Sequence, residues 1–247
     1  MPEPYVTSLD LTLATPEDNL ACDEALLDWA EAHESPGLLR FWESDRRFVV
    51  LGYANRVADE VDVEACRAED VPVLRRCSGG GTVLQGPGCV NYALILPMNR
   101  ESAGALEGIT GANRFIMERH RAALSGLLGQ PVAIEGHTDL AIDGRNFSGN
   151  AQRRKRTHLL FHGSILLGFD LDRIPRFLRA PSREPAYRQG RGHLDFLTSL
   201  NVERAALQKS LKEAWDTRPA SEIKDLRAHI VQLVAKKYSR DDWNLKW

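Results

Sequence analysis

The sequence predicts an α+β fold. Short apolar runs bounded by turn residues alternate irregularly with stretches of helical periodicity. Four strand-like runs follow one another between residues 132 and 167 with no helix among them, which a regularly wound α/β protein would not show.

The elements read in order as follows. Thr15-Pro16-Glu17-Asp18 has the form of a helix start, with Thr15 as N-cap, Pro16 at the first helical position and acids in the first turn. Leu20, Leu27 and their neighbours carry the amphipathic helix to about His33, where Ser35-Pro36-Gly37 breaks it. Residues 38–42 and 48–51 read as strands around the charged turn 43–47, and Gly52-Tyr53-Ala54-Asn55 ends the second. A short helix is expected over 61–70, then a strand over 71–74. After a glycine-rich segment, residues 90–96 form another apolar strand. Helical periodicity covers about 103–128, although Gly104, Gly108 and Gly111 interrupt its start. Short strands are expected near 132–135, 140–142, 146–152 and 159–167. A short helix over 171–178, an arginine-rich polar loop over 181–192, and helices over 202–217 and 220–238 complete the chain. Neither an internal repeat nor a low-complexity linker is visible. The expected organisation is one catalytic domain over 1–218 with a helical tail, 219–247, packed on it.

Composition excludes several function classes. The 247 residues are 43% hydrophobic and 27% charged, ordinary for a globular protein with a sizeable core. A formal net charge of -2 argues against a general nucleic-acid binder. No apolar run approaches a membrane span, and MPEPYVTSLD lacks the form of a signal peptide. Cys22, Cys66, Cys77 and Cys89 contain no C-x-x-C pair, so neither a zinc site nor a disulfide framework is indicated. A cytoplasmic location is expected.

Two segments carry the chemistry. In the first, Arg75 and Arg76 lead into Cys77-Ser78 and three consecutive glycines, Gly79, Gly80 and Gly81, before Thr82-Val83-Leu84. A backbone stripped of Cβ atoms lets a ligand lie against its N–H groups, and flanking arginines suit a phosphate or carboxylate. Neither a Walker loop nor a Rossmann fingerprint fits, because no Gly-Lys-Ser/Thr follows and a strand comes next. A glycine-rich hairpin without a ligand is the plainer alternative. In the second segment, alternation along 146–152 puts Asn146, Ser148, Asn150 and Gln152 on one strand face. That polar face suits either a cleft wall or a solvent-exposed edge. His162-Gly163 sits in an apolar strand, where a lone histidine is usually a hydrogen-bonded core residue. Arg153-Arg154-Lys155-Arg156 reads as a solvated hairpin tip or a dock for an acidic partner.

Together these segments resemble the lipoate–protein ligase family of the biotin/lipoate ligase superfamily. RRCSGGGTV at 75–83, TDLAIDGRNFSGNA at 138–151 and FHGSILL at 161–167 match its motifs, with weaker matches in NLACDEALL and VVLGYANR. The resemblance implies a mixed sheet with flanking helices, a tunnel for a lipoyl or octanoyl chain, and a carboxylate activated by ATP. Lipoate and ATP would give lipoyl-AMP and pyrophosphate. The acyl group would then pass to a lysine of a lipoyl domain, on a 2-oxoacid dehydrogenase E2 or the glycine-cleavage H protein. By resemblance the substrate and ATP-binding residues are Arg75, Arg76, Ser78, Gly79, Gly80, Gly81, Thr82, Val83, Leu84, Asn91, Asp139, Ser148, Gly149, His162 and Gly163. Asp139 would also meet Mg2+.

The chain departs from the family in three ways. Asn146 stands where the family has a lysine that binds the carboxyl or adenylate oxygens. Thr138 replaces the usual asparagine. A C-terminal accessory domain carried by larger ligases has no counterpart, and short members need a separate partner protein. The resemblance therefore leaves three readings open: an ATP-dependent ligase, an ATP-independent octanoyltransferase, and a lipoate-binding paralogue without chemistry. Related octanoyltransferases use a cysteine, and Cys77 is the one cysteine within the three stronger motif matches. Arg153 or Lys155 could reach in to replace the missing charge.

Overall fold

The computed structural model describes residues 5–33, 35–98, 104–220 and 223–247. The chain runs β1 (Val6–Asp10), α1 (Pro16–His33), β2 (Gly37–Trp42), β3 (Phe48–Leu51), α2 (Val57–Glu60), α3 (Val63–Ala68), β4 (Val73–Arg75), β5 (Val83–Gln85) and β6 (Cys89–Pro97). It continues through α4 (Gly108–Leu128), β7 (Ala133–Glu135), β8 (Asp139–Ile142), β9 (Arg145–Arg154), β10 (His158–Leu166), α5 (Ile174–Phe177) and α6 (His193–Phe196). It ends with α7 (Arg204–Ala214), β11 (Thr217–Pro219), α8 (Leu226–Leu233) and α9 (Asp241–Asn244). The fold is α+β with a mixed sheet, as expected.

Local chemistry accounts for the clearest boundaries. The Asp18 N–H donates to Thr15 Oγ1 at 3.1 Å, so α1 begins at the predicted cap. α3 is capped in the same way, by Asp62 accepting from the Ala65 N–H at 2.9 Å. α4 ends on Gly129 in the left-handed region, at φ 62°. Its expected start near Ala103 lies outside the described residues.

Eight strands form one sheet in the order β11-β1-β2-β6-β10-β9-β8-β7, and β4-β3-β5 form a second. β11-β1-β2 pair in parallel, and the run from β2 through β7 is antiparallel. Residues 38–42 and 48–51 therefore do not form a hairpin. The charged turn between them carries the chain from one sheet to the other. Alternation along β6 and β10 sends Tyr92, Leu94 and Phe161 to one face and Ala93, Ile95 and Leu160 to the other. On the first face they meet Ile116 and Met117 of α4 and Leu207 and Leu211 of α7. On the second they meet Leu26 and Leu27 of α1 and Ile230 of α8. A sheet covered on both faces explains why residues 90–96 are continuously apolar. Among the described residues no helix is long and apolar enough to cross a membrane.

The last turn of the chain is fastened to the small sheet by Arg75, which is fully buried. Its guanidinium donates to the carbonyls of Gly52, Tyr53 and Asn55 and to those of Trp243 and Lys246, at 2.8 to 3.2 Å. Its backbone N–H donates to Asn244 Oδ1 at 3.1 Å. Five carbonyls from two distant segments converge on one side chain. Replacing Arg75 with methionine should lower unfolding free energy by about 3 kcal/mol or more, because these carbonyls would stay buried without a donor. The urea midpoint measures it, and a change under about 0.5 kcal/mol would contradict this account.

Candidate functional site

The small sheet, β9 and the loop after α5 enclose a cavity of about 270 Å³. Of the residues predicted for the site, Arg76, Gly81, Thr82, Val83, Leu84, Asn91, Asp139, Asn146, Ser148, Gly149, His162 and Gly163 line it. Arg75, Ser78, Gly79 and Gly80 do not. Leu20, Trp42, Val50 and Ile174 supply apolar wall, and the 270 Å³ space is deep enough to take a short acyl chain.

The glycine loop is held by Arg76 rather than lying free beside it. Arg76 Nη2 donates to the Gly79 carbonyl at 2.5 Å and the Gly81 carbonyl at 2.8 Å, and Nε reaches Gly79 O and Ser78 Oγ. Burial pushes its guanidinium down to about 10, still cationic at neutral pH. Gly80 sits at φ 87°, a conformation that favours glycine, and a Cβ on Gly52 would clash with the Gly80 carbonyl. Among the described residues no protein acceptor takes the N–H groups of Gly79, Gly80 or Gly81, and all three glycines are exposed. The loop therefore turns its carbonyls onto Arg76 and keeps donors for another partner.

Behind the loop runs a buried hydrogen-bonded chain that the motifs only half revealed. Ser78 Oγ and His162 Nε2 are 2.5 Å apart, His162 Nδ1 lies 3.2 Å from Asp23 Oδ2, and Arg40 Nη1 lies 2.6 Å from Asp23 Oδ1. A carboxylate only accepts, so Nδ1 carries the proton toward Asp23. Ser78 lies off the cavity wall, so this arrangement fastens the loop to β10 and α1 and presents no nucleophile. His162 is thus a hydrogen-bonded residue whose edge also reaches the cavity. Sequence reasoning missed Asp23 and Arg40. The NLACDEALL match was the available signal.

On the opposite wall, the polar face of β9 forms as alternation predicts. The Ser148 N–H donates to Asn146 Oδ1 at 2.8 Å, which fixes the orientation of the amide. Asn146 Nδ2 then has no hydrogen-bond partner among the described residues, and Asn146 lines the cavity. Asn150 receives the Tyr92 hydroxyl at 2.5 Å and donates to Ser148 Oγ at 3.1 Å. Gln152 leaves this set and donates to the Ile109 carbonyl. The hairpin cations do not replace the lysine. Arg153 donates to the Cys77 carbonyl at 2.8 Å, and Lys155 pairs with Asp28 at 2.5 Å. Cys77 is buried away from the cavity wall, and desolvation pushes its thiol up to about 12.

Asp139 is the one carboxylate of the site with a resolved shift. Burial pushes it up to about 6, against the opposing effect of the Tyr187 hydroxyl, which donates at 2.7 Å. Tyr187 belongs to the arginine-rich loop, so this bond ties that loop to β8. Among the described residues no cluster of three or more His, Cys, Asp or Glu side chains could hold a metal. A single carboxylate fits a Mg2+ ion that arrives bound to phosphates, since that ion keeps most of its waters.

Residues 15–216 match the family model described as the lipoyl protein ligase A/B catalytic domain. The chain belongs to that family. Octanoyltransferase LipM of Geobacillus kaustophilus is 28% identical over 273 residues, covering 96% of this chain and 97% of the relative. Among solved structures, the archaeal bipartite lipoate protein ligase studied with its E2 lipoyl domain from Thermoplasma acidophilum superposes with TM-score 0.81. That match is 22% identical and covers 98% of this chain and 96% of the other. A lipoate-protein ligase A bound with ATP gives TM-score 0.79 at 22% identity, covering 98% of both chains. The structural likenesses establish the lipoate ligase fold. Family membership makes this chain an enzyme of acyl transfer, of the lipoate ligase and octanoyltransferase kind.

The raised Asp139 carboxyl has a consequence for stability. Its ordinary value is near 3.8, so between about pH 4 and pH 6 the unfolded chain releases a proton that the folded chain keeps. Stability therefore falls as pH rises through that window, and the cost is complete above about pH 6. Asp139→Asn should stabilise the protein by about 2 kcal/mol at pH 8 and much less at pH 4, while lowering acyl transfer. Thermal melts of both proteins at the two pH values check it. An equal effect at both would contradict it.

Proposed function

We propose that this enzyme activates lipoate or octanoate with ATP and transfers the acyl group to a lysine of a lipoyl domain. The observation that carries the reading is the cavity wall itself, which joins an apolar acyl lining to Gly81, whose N–H has no protein acceptor among the described residues, and contains none of the four cysteines. A thioester-forming enzyme needs a thiol at the substrate. All four here are buried, and those of Cys22, Cys77 and Cys89 are pushed up to about 12.

In this reading the acyl carboxylate attacks the α-phosphorus of ATP, the P–O bond to pyrophosphate breaks, and an acyl-adenylate forms. The lysine amine then attacks the acyl carbonyl, loses a proton and expels AMP. Positive charge and fixed donors lower the barrier to bringing two anions together. The exposed N–H groups of Gly79 to Gly81 and Asn146 Nδ2 are the fixed donors on this chain. Mg2+, held through Asp139 and the phosphates, would neutralise the pyrophosphate. Residues 1–218 act as the catalytic unit with 219–247 packed on it, in a reducing cytoplasm. The acceptors would be an E2 lipoyl domain or the H protein, and a separate accessory protein is compatible with the bipartite archaeal neighbour.

Similarity to an octanoyltransferase over nearly the whole chain supports a second reading, in which an acyl carrier thioester replaces ATP and free acid. One assay separates them. The protein is incubated with an apo lipoyl domain and either lipoate, ATP and Mg2+ or octanoyl carrier protein, and the domain is weighed by mass spectrometry. A lipoyl mass gain with pyrophosphate release is expected in the first mixture. A gain in the second alone transfers the conclusion to the octanoyltransferase reading, and no gain in either overturns both.

A further inference from the structure

The cavity lost a cation at Asn146 and holds four arginines elsewhere on its wall: Arg76, Arg179, Arg183 and Arg188. Two of them are occupied. Arg76 is bound to the glycine loop, as described above. Arg188 is buried, donates to the Arg191 carbonyl at 2.9 Å, lies 3.6 Å from Glu184 and stacks over Phe196. Arg179 and Arg183 are exposed at the rim, and among the described residues neither side chain has a hydrogen-bond or ion-pair partner. Among the described residues no cavity carboxylate lies within ion-pair distance of either one. Asp23 is paired with Arg40 and His162, Asp139 accepts from Tyr187, and Glu60 accepts from Ser182.

The backbone carrying the two arginines is nonetheless fixed. The Ser182 N–H and hydroxyl both donate to Glu60 Oε1, between the two positions. The Arg179 N–H donates to the Glu60 carbonyl at 3.0 Å, and His193 Nε2 donates to the Arg179 carbonyl at 3.0 Å. Two uncommitted guanidiniums on an anchored segment, at a cavity that Gly81 lines with an N–H lacking a protein acceptor, are organised for a phosphate.

We propose that Arg179 and Arg183 form a phosphate-binding pair at the cavity rim, supplying from the loop after α5 the positive charge that is missing at Asn146. The ligand is a phosphate ester or anhydride carried by the acyl donor. It is either the triphosphate of a nucleotide or the phosphodiester of a carrier arm. The inference rests on the acyl-transfer reading for its role and on the arginines' own surroundings for its location.

The test compares the parent protein with an Arg179→Gln/Arg183→Gln double variant, and with that variant carrying Asn146→Lys as well. Calorimetry measures the affinity of each for ATP, for octanoyl carrier protein and for free lipoate, and acylation of a lipoyl domain is followed in parallel. The double variant should bind the phosphate-bearing donor at least about tenfold more weakly, since charged hydrogen bonds are being removed, and its binding should lose most of its salt dependence. Lipoate affinity and the unfolding midpoint should stay within about twofold and a degree or two, which a general loss of structure would not allow. Asn146→Lys should recover part of the lost affinity. Weakened ATP binding assigns the pair to a nucleotide, and weakened carrier binding assigns it to a carrier arm. Unchanged affinity for both, or a parent protein that binds neither, overturns the proposal. Failure of the parent protein to acylate the domain with either donor would count against the acyl-transfer reading instead, because the binding comparison stands without turnover.

Discussion

A buried guanidinium must find acceptors for all its N–H groups, and this requirement at Arg75 and Arg76 organises the molecule around its site. Adjacent in sequence at the end of β4, the two side chains take different destinations. Arg75 draws carbonyls from residues 52–55 and from the last turn of the chain onto one cation. Arg76 draws the carbonyls of Gly79 and Gly81 onto another. Small sheet, glycine loop and C-terminal turn are therefore one polar assembly. Its backbone acceptors are neutral, so each charge is stabilised by dipoles rather than by a counter-ion. The chemical result is a loop whose N–H groups are free because its carbonyls are not.

That arrangement also shows what was legible in the sequence. The arginine-glycine motif reads as an anion site or a hairpin without a ligand, and among the described residues the N–H groups of Gly79, Gly80 and Gly81 have no protein acceptor. The assignment of both arginines to a ligand did not follow, because the sequence does not record which way a long side chain leaves its strand. The polar face of β9 was readable, since period-two alternation is a local property. Gln152 departs from the pattern only because α4 offers it the Ile109 carbonyl, a contact 43 residues away. β1 and β11 went unseen for a related reason. They are held by parallel pairing across 211 residues, Val6 to Thr217, and β11 is three residues long. β5, also three residues, hides inside the glycine-rich segment that the motif accounts for.

The chain of bonds from Arg40 through Asp23 and His162 to Ser78 completes the same logic on the far side of the loop. A serine, a histidine and an aspartate in this order invite comparison with a nucleophile system. Two facts oppose it. The hydroxyl is off the cavity wall, and Arg76 Nε also donates toward it, at 3.2 Å. A nucleophilic oxygen needs its lone pairs directed at a substrate. Here the hydroxyl donates to His162 Nε2 and accepts from Arg76 Nε, so the unit works by holding the loop in register with β10.

Asn146 is then best understood through the distribution of charge across the cavity. A lysine on β9 would place a full charge at the centre of the wall, next to buried Ser148 and the Asp139 strand. The amide instead accepts from the Ser148 N–H with one atom and borders the cavity with its other, which costs far less to desolvate than an ammonium group. A cation at the solvated rim carries a smaller desolvation penalty than one inside the wall, and attracts anions from solution. A site whose buried arginines are already held by protein acceptors and whose free cations stand at the edge must gain its selectivity for an acyl group from shape and hydrogen bonds. On the proposed reading, the attraction of that rim for a phosphate depends on ionic strength, because Coulomb forces at an exposed rim are screened by salt and those inside a dry pocket much less.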